Sequence, residues 1–371
     1  MHNIKLDTLL LGRFFDLLNQ SGYKYCVMNN YTNMPEIIPS DVDFAVEINL
    51  FNKLDDIVST FAKRNDVVVT QKIWHGYNKC AYILSPSSVS GFFRLQLDFF
   101  VDFCAKGFPN LMPINEMLKN RKKFKNFYIP SPSVEAPFVM QRRIFKGDIE
   151  QRHLQILRDL LERNANDVEK GFIKVFGDKF GFELLDVIRF NKIEHFKSKR
   201  KDYYELLKKL SSRNTSITYR FKYTLMQAVR AYYRLSQPVG MNIFVDSSLL
   251  EIIDLNKFLD SMSGSFHGTS LEILDFNNMS AFSKIKYLLV KRWHKTTKKI
   301  SVVAFDCMNN NPIPLLVAIS SVDIIITSKD ISPDLSLESL LNLAIVTQST
   351  KTSQQLGLLF SPTKKGYGSV S

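Results

Sequence analysis

The sequence predicts an α+β domain at the N-terminus, a helical region in the middle and an α/β domain at the C-terminus. Polar and apolar residues alternate in short runs within the first 105 residues, which is typical of strands. From about residue 135 to 235, apolar residues recur at helical spacing. Beyond Gly240, short apolar runs are separated by helical stretches, as in a parallel sheet. We place the domain boundaries at 1–134, 135–236 and 237–349, with a flexible tail at 350–371.

The N-terminal domain is predicted to have the element order α-β-β-α-β-β-β. Its first helix carries apolar residues on one face and is closed by a Ser-Gly pair. In the last predicted strand, Leu95, Leu97 and Phe99 alternate with Gln96 and Asp98, so the two sets face opposite sides of a sheet. The predicted elements are helices at 4–20 and 50–64 and strands at 23–28, 41–48, 67–70, 80–84 and 93–103.

The middle region is predicted to contain helices at 135–162 and 181–235. Basic residues are concentrated between Lys192 and Arg234, and we interpret that run as a solvated helix face. Pro238 and Gly240 mark the boundary to the C-terminal domain. The strands predicted for that domain lie at 242–245, 300–306 and 322–327.

The composition describes an ordinary globular chain with an excess of basic residues. The 371 residues carry a formal net charge of +13, with a pI near 9.4. That excess favours anionic partners such as nucleotides or phospholipid headgroups, although Lys-rich composition bias alone would give the same charge. A hydrophobic fraction of 45% and a charged fraction of 23% argue against disordered, collagen-like and coiled-coil chains.

The cysteines and the N-terminus predict a cytoplasmic protein with reduced thiols. The cysteines show neither a CxxC pair nor the Cys/His spacing of a zinc site. The N-terminal segment mixes acidic and basic residues with its apolar ones, unlike a signal peptide, and no run of 18 apolar residues occurs. The four cysteines are Cys26, Cys80, Cys104 and Cys307.

Two aspartates on one predicted strand are the most informative feature of the sequence. Asp41 and Asp43 are separated by one residue, so both project from the same face of the strand. Carboxylates this close repel each other unless a cation lies between them, and Mg²⁺ suits such a pair. Asp98, on a later strand, is expected to complete a set of three that could hold two metal ions for phosphoryl transfer. Asp102 is the other candidate for the third carboxylate, but the order Leu-Gln-Leu-Asp favours Asp98.

These residues carry a resemblance to a known family. A strand, a turn, D-x-D on the next strand and a later single Asp are similar to the nucleotidyltransferase superfamily with the polymerase-beta-type fold. The stretches VMNNYTNMPEIIPSDVDFAV, FRLQLDFFVDFCAKG and RRIFKGDIEQRHLQIL look more specifically like nucleotidyltransferase-like proteins of bacterial surface-polysaccharide gene clusters. The resemblance covers about residues 20–165.

The resemblance implies Mg²⁺-dependent transfer of a nucleotidyl group from an NTP to a sugar or sugar-phosphate hydroxyl. By this resemblance Asp41 and Asp43 hold the metal, and Asp98 completes the metal site and helps to deprotonate the acceptor. Asn29, Asn30 and Ser40 are the candidate nucleotide-binding residues. The implied partners are the NTP, a sugar-type acceptor, and a peripheral membrane or polysaccharide-assembly partner, whereas nucleic acid is not expected.

One departure from the family pattern leaves catalysis open. The superfamily usually ends its first strand with Gly-Gly or Gly-Ser, where the backbone approaches the triphosphate, but this chain has Asn29-Asn30. Asn side chains could instead donate hydrogen bonds to phosphate oxygens. The alternative function is a non-catalytic nucleotide- or partner-binding protein on the same fold and in the same pathway. An RNA-end nucleotidyltransferase has only the net charge of +13 in its favour.

The C-terminal domain resembles a degenerate thymidylate-kinase-like domain. A phosphate-binding loop needs G-x-x-x-x-G-K-[ST] after its first strand. Here the strand at 242–245 is followed by Asp246-Ser247-Ser248-Leu249-Leu250, without Gly or Lys, so ATP binding by that route is not expected. An unrelated α/β module for acceptor or partner binding remains the alternative. Motifs of serine hydrolases, zincins and dinucleotide-binding proteins are absent from the sequence.

Overall fold

The structure is a computed structural model of a mixed α/β chain that divides into two compact units. Unit I comprises Met1–Leu10, Asn52–Leu97 and Gln227–Ser371, and unit II comprises Leu11–Phe51 and Asp98–Met226. The residues that the structure describes are 6–76, 78–87, 93–105, 108–112, 114–213, 215–236, 238–246, 257–258, 260, 262, 266, 269–273, 279–296, 299–305, 323–326 and 337–357.

The described elements are eleven helices and thirteen strands. The elements up to residue 129 are α1 (Leu6–Gln20), β1 (Tyr25–Val27), β2 (Val42–Val46), α2 (Ile48–Phe51), α3 (Leu54–Arg64), β3 (Val67–Gly76), β4 (Lys79–Pro86), β5 (Leu95–Phe100), β6 (Phe103–Ala105), β7 (Phe108–Met112), α4 (Ile114–Lys119), β8 (Lys122–Phe124) and β9 (Phe127–Ile129). The later elements are α5 (Pro132–Lys146), α6 (Gln151–Arg163), α7 (Ala165–Arg189), α8 (Ile193–Arg213), α9 (Ile217–Ser236), β10 (Met241–Asp246), β11 (Thr269–Ile273), α10 (Ala281–Thr296), β12 (Ile300–Phe305), β13 (Ile324–Ile326) and α11 (Leu337–Gly357). No described helix is both long enough and apolar enough to cross a bilayer.

In unit II, strands lie in the order β1-β2-β5 and carry a core on each face. β1 and β2 are antiparallel, with Tyr25 opposite Val46. On one face, Phe44 of β2 packs edge-on against Phe14 of α1 and stacks on Phe99 of β5 at a centroid distance of 5.0 Å. On the other face, Ala45 joins the apolar core that α4 to α8 complete. Alternation along β2 therefore separates an aromatic layer from a helical one.

Glycine ends one helix of unit II and bends another. α5 starts at Pro132, a residue whose ring suits the first turn of a helix, and is capped by Gly147 in the left-handed region at φ 71°. Gly177 interrupts α7 with a φ of 75°, so that helix is two helical segments joined by a kink.

Unit I contains an antiparallel hairpin, β3–β4, and a parallel sheet of order β11-β12-β10-β13. β10 pairs in parallel with both β12 and β13, so the strands predicted beyond Gly240 are confirmed at 241–246, 300–305 and 324–326. Ile243, Val302 and Leu341 belong to its apolar core. The last helix runs to Gly357, past the predicted start of the tail, and 358–371 lie outside the described residues.

The predicted element order of the first 105 residues is confirmed, but several bounds differ. The strand predicted at 67–70 continues to Gly76. The helix predicted at 50–64 is divided into α2 and α3. The strand predicted at 93–103 ends at Phe100, and β6 starts after a bend at residues 101–102. The predicted loop after β10 falls on Ser247 to Leu250, which lie outside the described residues.

Candidate metal centre

The three predicted aspartates come together in unit II. One carboxylate oxygen from each of Asp41, Asp43 and Asp98 lies within 4.8 Å of the other two. Asp43 is 5% and Asp98 3% exposed, while Asp41 is half-buried. Among the described residues, this is the only set of three or more His, Cys, Asp or Glu side chains with ligand atoms so close. The predicted convergence is confirmed, and we call these residues the aspartate triad.

The local sequence explains how the strands present the aspartate triad. Asp41 immediately precedes β2, and Asp43 lies within it, on the same face as Ala45. The Met28 backbone N–H donates to the Asp43 carbonyl at 2.9 Å, which ties β2 to the end of β1. Asp98 lies on β5, the neighbour of β2 in the sheet. Backbone pairing therefore fixes the positions of the three carboxylates before any ligand binds.

The Asp43 carboxylate contacts the side chains of Asn29 and Arg142. The Asn29 Nδ2 donates to Asp43 Oδ2 at 2.9 Å. A guanidinium nitrogen of Arg142, on α5, lies 3.3 Å from the same oxygen. Arg142 therefore balances part of the negative charge that the three carboxylates bring together.

The other predicted nucleotide-binding residues lie at the edge of the triad. The Ser40 hydroxyl donates to Asp41 Oδ1 at 2.9 Å. Asn30 has a left-handed backbone, with φ at 54°, which Asn adopts more readily than most residues. The structure thus brings Asn29 and Ser40 to the carboxylates themselves, and it shows no contact between the Asn30 side chain and the triad.

A buried acid lies on the same helix as Arg142. Glu135 is 4% exposed, and its Oε2 accepts a hydrogen bond from the Tyr31 hydroxyl at 2.7 Å. Burial raises the pKa of Glu135 to about 7, and the Tyr31 hydrogen bond opposes that rise. Burial beside Glu135 also raises the pKa of Tyr31. At neutral pH, Glu135 therefore titrates between its neutral and charged forms.

Sequence reasoning missed Arg142, Glu135 and Tyr31. Glu135 and Arg142 are seven residues apart on α5, so they share one face of the helix. The guanidinium of Arg142 also lies 5.6 Å from the Phe138 ring on that face. The sequence offered one signal, the seven-residue spacing of Glu135 and Arg142 in a helix that is otherwise largely apolar. Arg142 is also the first residue of RRIFKGDIEQRHLQIL, one of the stretches that resemble the nucleotidyltransferase-like proteins.

The competing aspartate has a different position. Asp102 lies beyond β5, where its Oδ2 accepts a hydrogen bond from the Tyr219 hydroxyl at 2.7 Å. It does not belong to the aspartate triad, so the choice of Asp98 from the order Leu-Gln-Leu-Asp is confirmed.

The donor set suits a hard divalent cation. Three carboxylates offer oxygen ligands only, which is the chemistry that Mg²⁺ and Ca²⁺ prefer, and softer metals would favour His or Cys. Comparisons of the chain with protein families, curated proteins and solved structures found no match. The function of the aspartate triad therefore has to be argued from its own residues.

Proposed function

We propose that this protein transfers a nucleotidyl group from an NTP to the hydroxyl of a sugar or sugar phosphate in an Mg²⁺-dependent reaction. The pathway would be the synthesis of a bacterial surface polysaccharide, a capsule or O-antigen, which the family resemblance of residues 20–165 favours. The observation that carries the proposal is the aspartate triad, with carboxylate oxygens from two neighbouring strands within 4.8 Å. Three carboxylates this close repel one another, and a metal ion, alone or bound to phosphate, would offset that repulsion.

The residues of the chain would act mainly by position and charge. Asp41 and Asp43 would hold Mg²⁺, which when bound neutralises phosphate charge and polarises the α-phosphate. Asp98 would take the proton of the acceptor hydroxyl. The acceptor oxygen then forms its bond to the α-phosphorus as the bond to pyrophosphate breaks, and pyrophosphate leaves with the electron pair. Arg142 would keep a positive charge beside Asp43, where the phosphates would bind.

Two observations favour a second candidate, a non-catalytic nucleotide- or partner-binding protein. Asp43 Oδ2 is already engaged by Asn29 and Arg142, so part of the charge in the triad is balanced without metal. Asn29-Asn30 also replaces the Gly pair that lets the backbone approach a triphosphate. In that case the fold would bind a ligand, and no bond would be broken.

The test is a screen of the four NTPs with sugar and sugar-phosphate acceptors, with and without Mg²⁺. The Asp41→Asn/Asp43→Asn variant is expected to lose all transfer and to keep its fold, because an amide binds Mg²⁺ poorly. Asp178→Asn/Asp202→Asn removes the same charge from exposed positions of unit II and is expected to keep full activity. The variants are also expressed in a strain that lacks the gene. Normal surface polysaccharide from a well-expressed Asp41→Asn/Asp43→Asn variant would contradict the catalytic proposal and favour the binding protein.

A further inference from the structure

Helix α10 has inverted amphipathic character. Phe282, Leu289 and Trp293 are 78%, 52% and 59% exposed, although they are large apolar side chains. Two lysines of the same helix, Lys291 and Lys295, are buried. A surface helix of a globular protein normally buries its apolar stripe and exposes its charged residues. We call the exposed side, formed by Phe282, Ile285, Leu289, Val290 and Trp293, the apolar face of α10.

Contacts within unit I hold α10 in this orientation. Lys295 Nζ lies 2.8 Å from Asp323 Oδ1, and both side chains are almost fully buried. The Asn242 Nδ2 donates to the Lys291 carbonyl at 3.4 Å, and the Gly240 backbone N–H donates to the Lys295 carbonyl at 3.0 Å. Rotating the helix to bury Trp293 would separate Lys295 from Asp323 and leave buried charges without their partners. The outward apolar face therefore follows from the packing of the helix.

The charges along this part of the chain are all positive. The sequence has no Asp or Glu between Asp275 and Asp306. Two exposed basic residues adjoin the apolar face: Lys286 follows Ile285, and Arg292 precedes Trp293. A lysine beside apolar side chains can lay its methylene groups along them and extend its ammonium to lipid headgroups.

We infer that α10 binds the surface of an anionic phospholipid membrane, with its apolar face toward the acyl chains. An apolar face that contains Trp and Phe, on a helix that carries only basic charges, is the pattern of interfacial helices. A second copy of the chain is a poorer occupant because each copy has a net charge of +13, and the same positive helix would face itself. This inference is independent of the proposed nucleotidyl transfer.

The two tryptophans of the chain make the contact measurable. Trp74 lies in β3 with Lys72 Nζ 4.3 Å from its ring centroid. In the full chain carrying Trp74→Phe, all indole emission comes from Trp293. Vesicles of phosphatidylcholine and phosphatidylglycerol are expected to shift that emission to shorter wavelength, and brominated acyl chains are expected to quench it. Emission that does not respond to these vesicles would overturn the inference.

Sedimentation with the same vesicles measures the affinity of the full chain for the membrane surface. Phe282→Gln/Trp293→Gln is expected to weaken binding at least about tenfold, because it removes the largest inserted side chains. Lys286→Gln and Arg292→Gln are each expected to weaken it about fivefold. The control Ile37→Gln/Phe190→Gln removes two other exposed apolar side chains and is expected to leave binding unchanged. Circular dichroism verifies that each variant keeps its helices.

Three results would contradict the assignment. The first is undiminished vesicle binding by the Phe282→Gln/Trp293→Gln variant. The second is an equal loss of binding in the Ile37→Gln/Phe190→Gln control, which would make any exposed apolar residue sufficient. The third is a wild-type dimer that ignores vesicles and that Phe282→Gln/Trp293→Gln converts to a monomer, because the face would then belong to a second copy.

Discussion

Two clusters of charged side chains differ in how their charge is balanced. In unit II, the three carboxylates of the aspartate triad lie together, and Arg142 contacts one of them. In unit I, a single carboxylate, Asp323, accepts hydrogen bonds from Lys295 and Lys351 at 2.8 Å each. The first cluster gathers three like charges, whereas the second pairs one carboxylate with two cations.

Their positions differ as well. Asp323 Oδ2 also accepts from the backbone N–H of Asn242 at 2.8 Å, so the cluster ties the start of β13 to the start of β10. Ligand sites of parallel sheets lie at the carboxyl ends of strands, and this cluster lies at the amino ends. We therefore assign the Asp323 cluster to stability, because its opposite charges contact each other, and the aspartate triad to ligand binding, because it gathers three like charges.

The largest expected effect tests the stabilising half of this comparison. Asp323→Asn should lower the free energy of unfolding by about 3–5 kcal/mol, because two lysines lose the charge that balances them inside the protein. Urea denaturation measures the change. Glu194→Gln, which removes an exposed ion pair with Lys197, should cost no more than about 0.5 kcal/mol. Equal losses in the free energy of unfolding for Asp323→Asn and Glu194→Gln would contradict the claim that burial makes the Asp323 cluster more stabilising.

A smaller effect of opposite sign is expected at Glu135, a buried acid with no cation bonded to it in the described contacts. Its folded-state pKa is raised from 4.5 to about 7. Below 4.5 both states hold the proton, and between the two values only the folded state does, so its contribution to stability is lost as pH rises through about 7. Glu135→Gln should therefore flatten the pH dependence and stabilise the protein by roughly 2 kcal/mol at pH 8.

Thermal unfolding of wild type and Glu135→Gln across this pH range checks the sign. A variant that is less stable than wild type at pH 8 would contradict the burial argument. Tyr31→Phe removes the hydroxyl that lowers the Glu135 pKa, so the folded-state pKa should rise further and the loss of stability should extend to higher pH.

The smallest expected effect concerns the cation at the aspartate triad. Arg142 competes with a metal for Asp43, so Arg142→Gln should raise the affinity for Mn²⁺ alone about fivefold. The same change should weaken triphosphate binding, because a positive charge near the phosphates is lost. Arg142→Lys should keep most of both properties. Mn²⁺ affinity that falls in Arg142→Gln would contradict competition for Asp43.

Local patterns predicted the strands and the position of the three aspartates. Alternation along Asp41 to Glu47 and Leu95 to Phe100 sets both the sheet and the faces of its side chains, and apolar runs after Gly240 predicted the parallel strands. These features depend on neighbours in sequence, which a single sequence shows directly.

Long-range partners could not be predicted in this way. Arg142 contacts Asp43 across 99 positions, and Tyr31 contacts Glu135 across 104. A charged residue on a helix face looks the same in sequence whether it meets water or a strand of the sheet. The inverted face of α10 was also missed, because periodicity gives the spacing of apolar residues and not the direction in which they point.

The most direct test of the central claim is a titration of Mn²⁺ alone into the wild-type protein, Asp98→Asn and Asp102→Asn, followed by electron paramagnetic resonance. Both aspartates are buried, and only Asp98 belongs to the aspartate triad. We expect Mn²⁺ to bind the wild type and Asp102→Asn alike, and Asp98→Asn about tenfold or more weakly. Equal affinities in all three proteins, or no binding to the wild type, would show that the aspartate triad is not a metal centre.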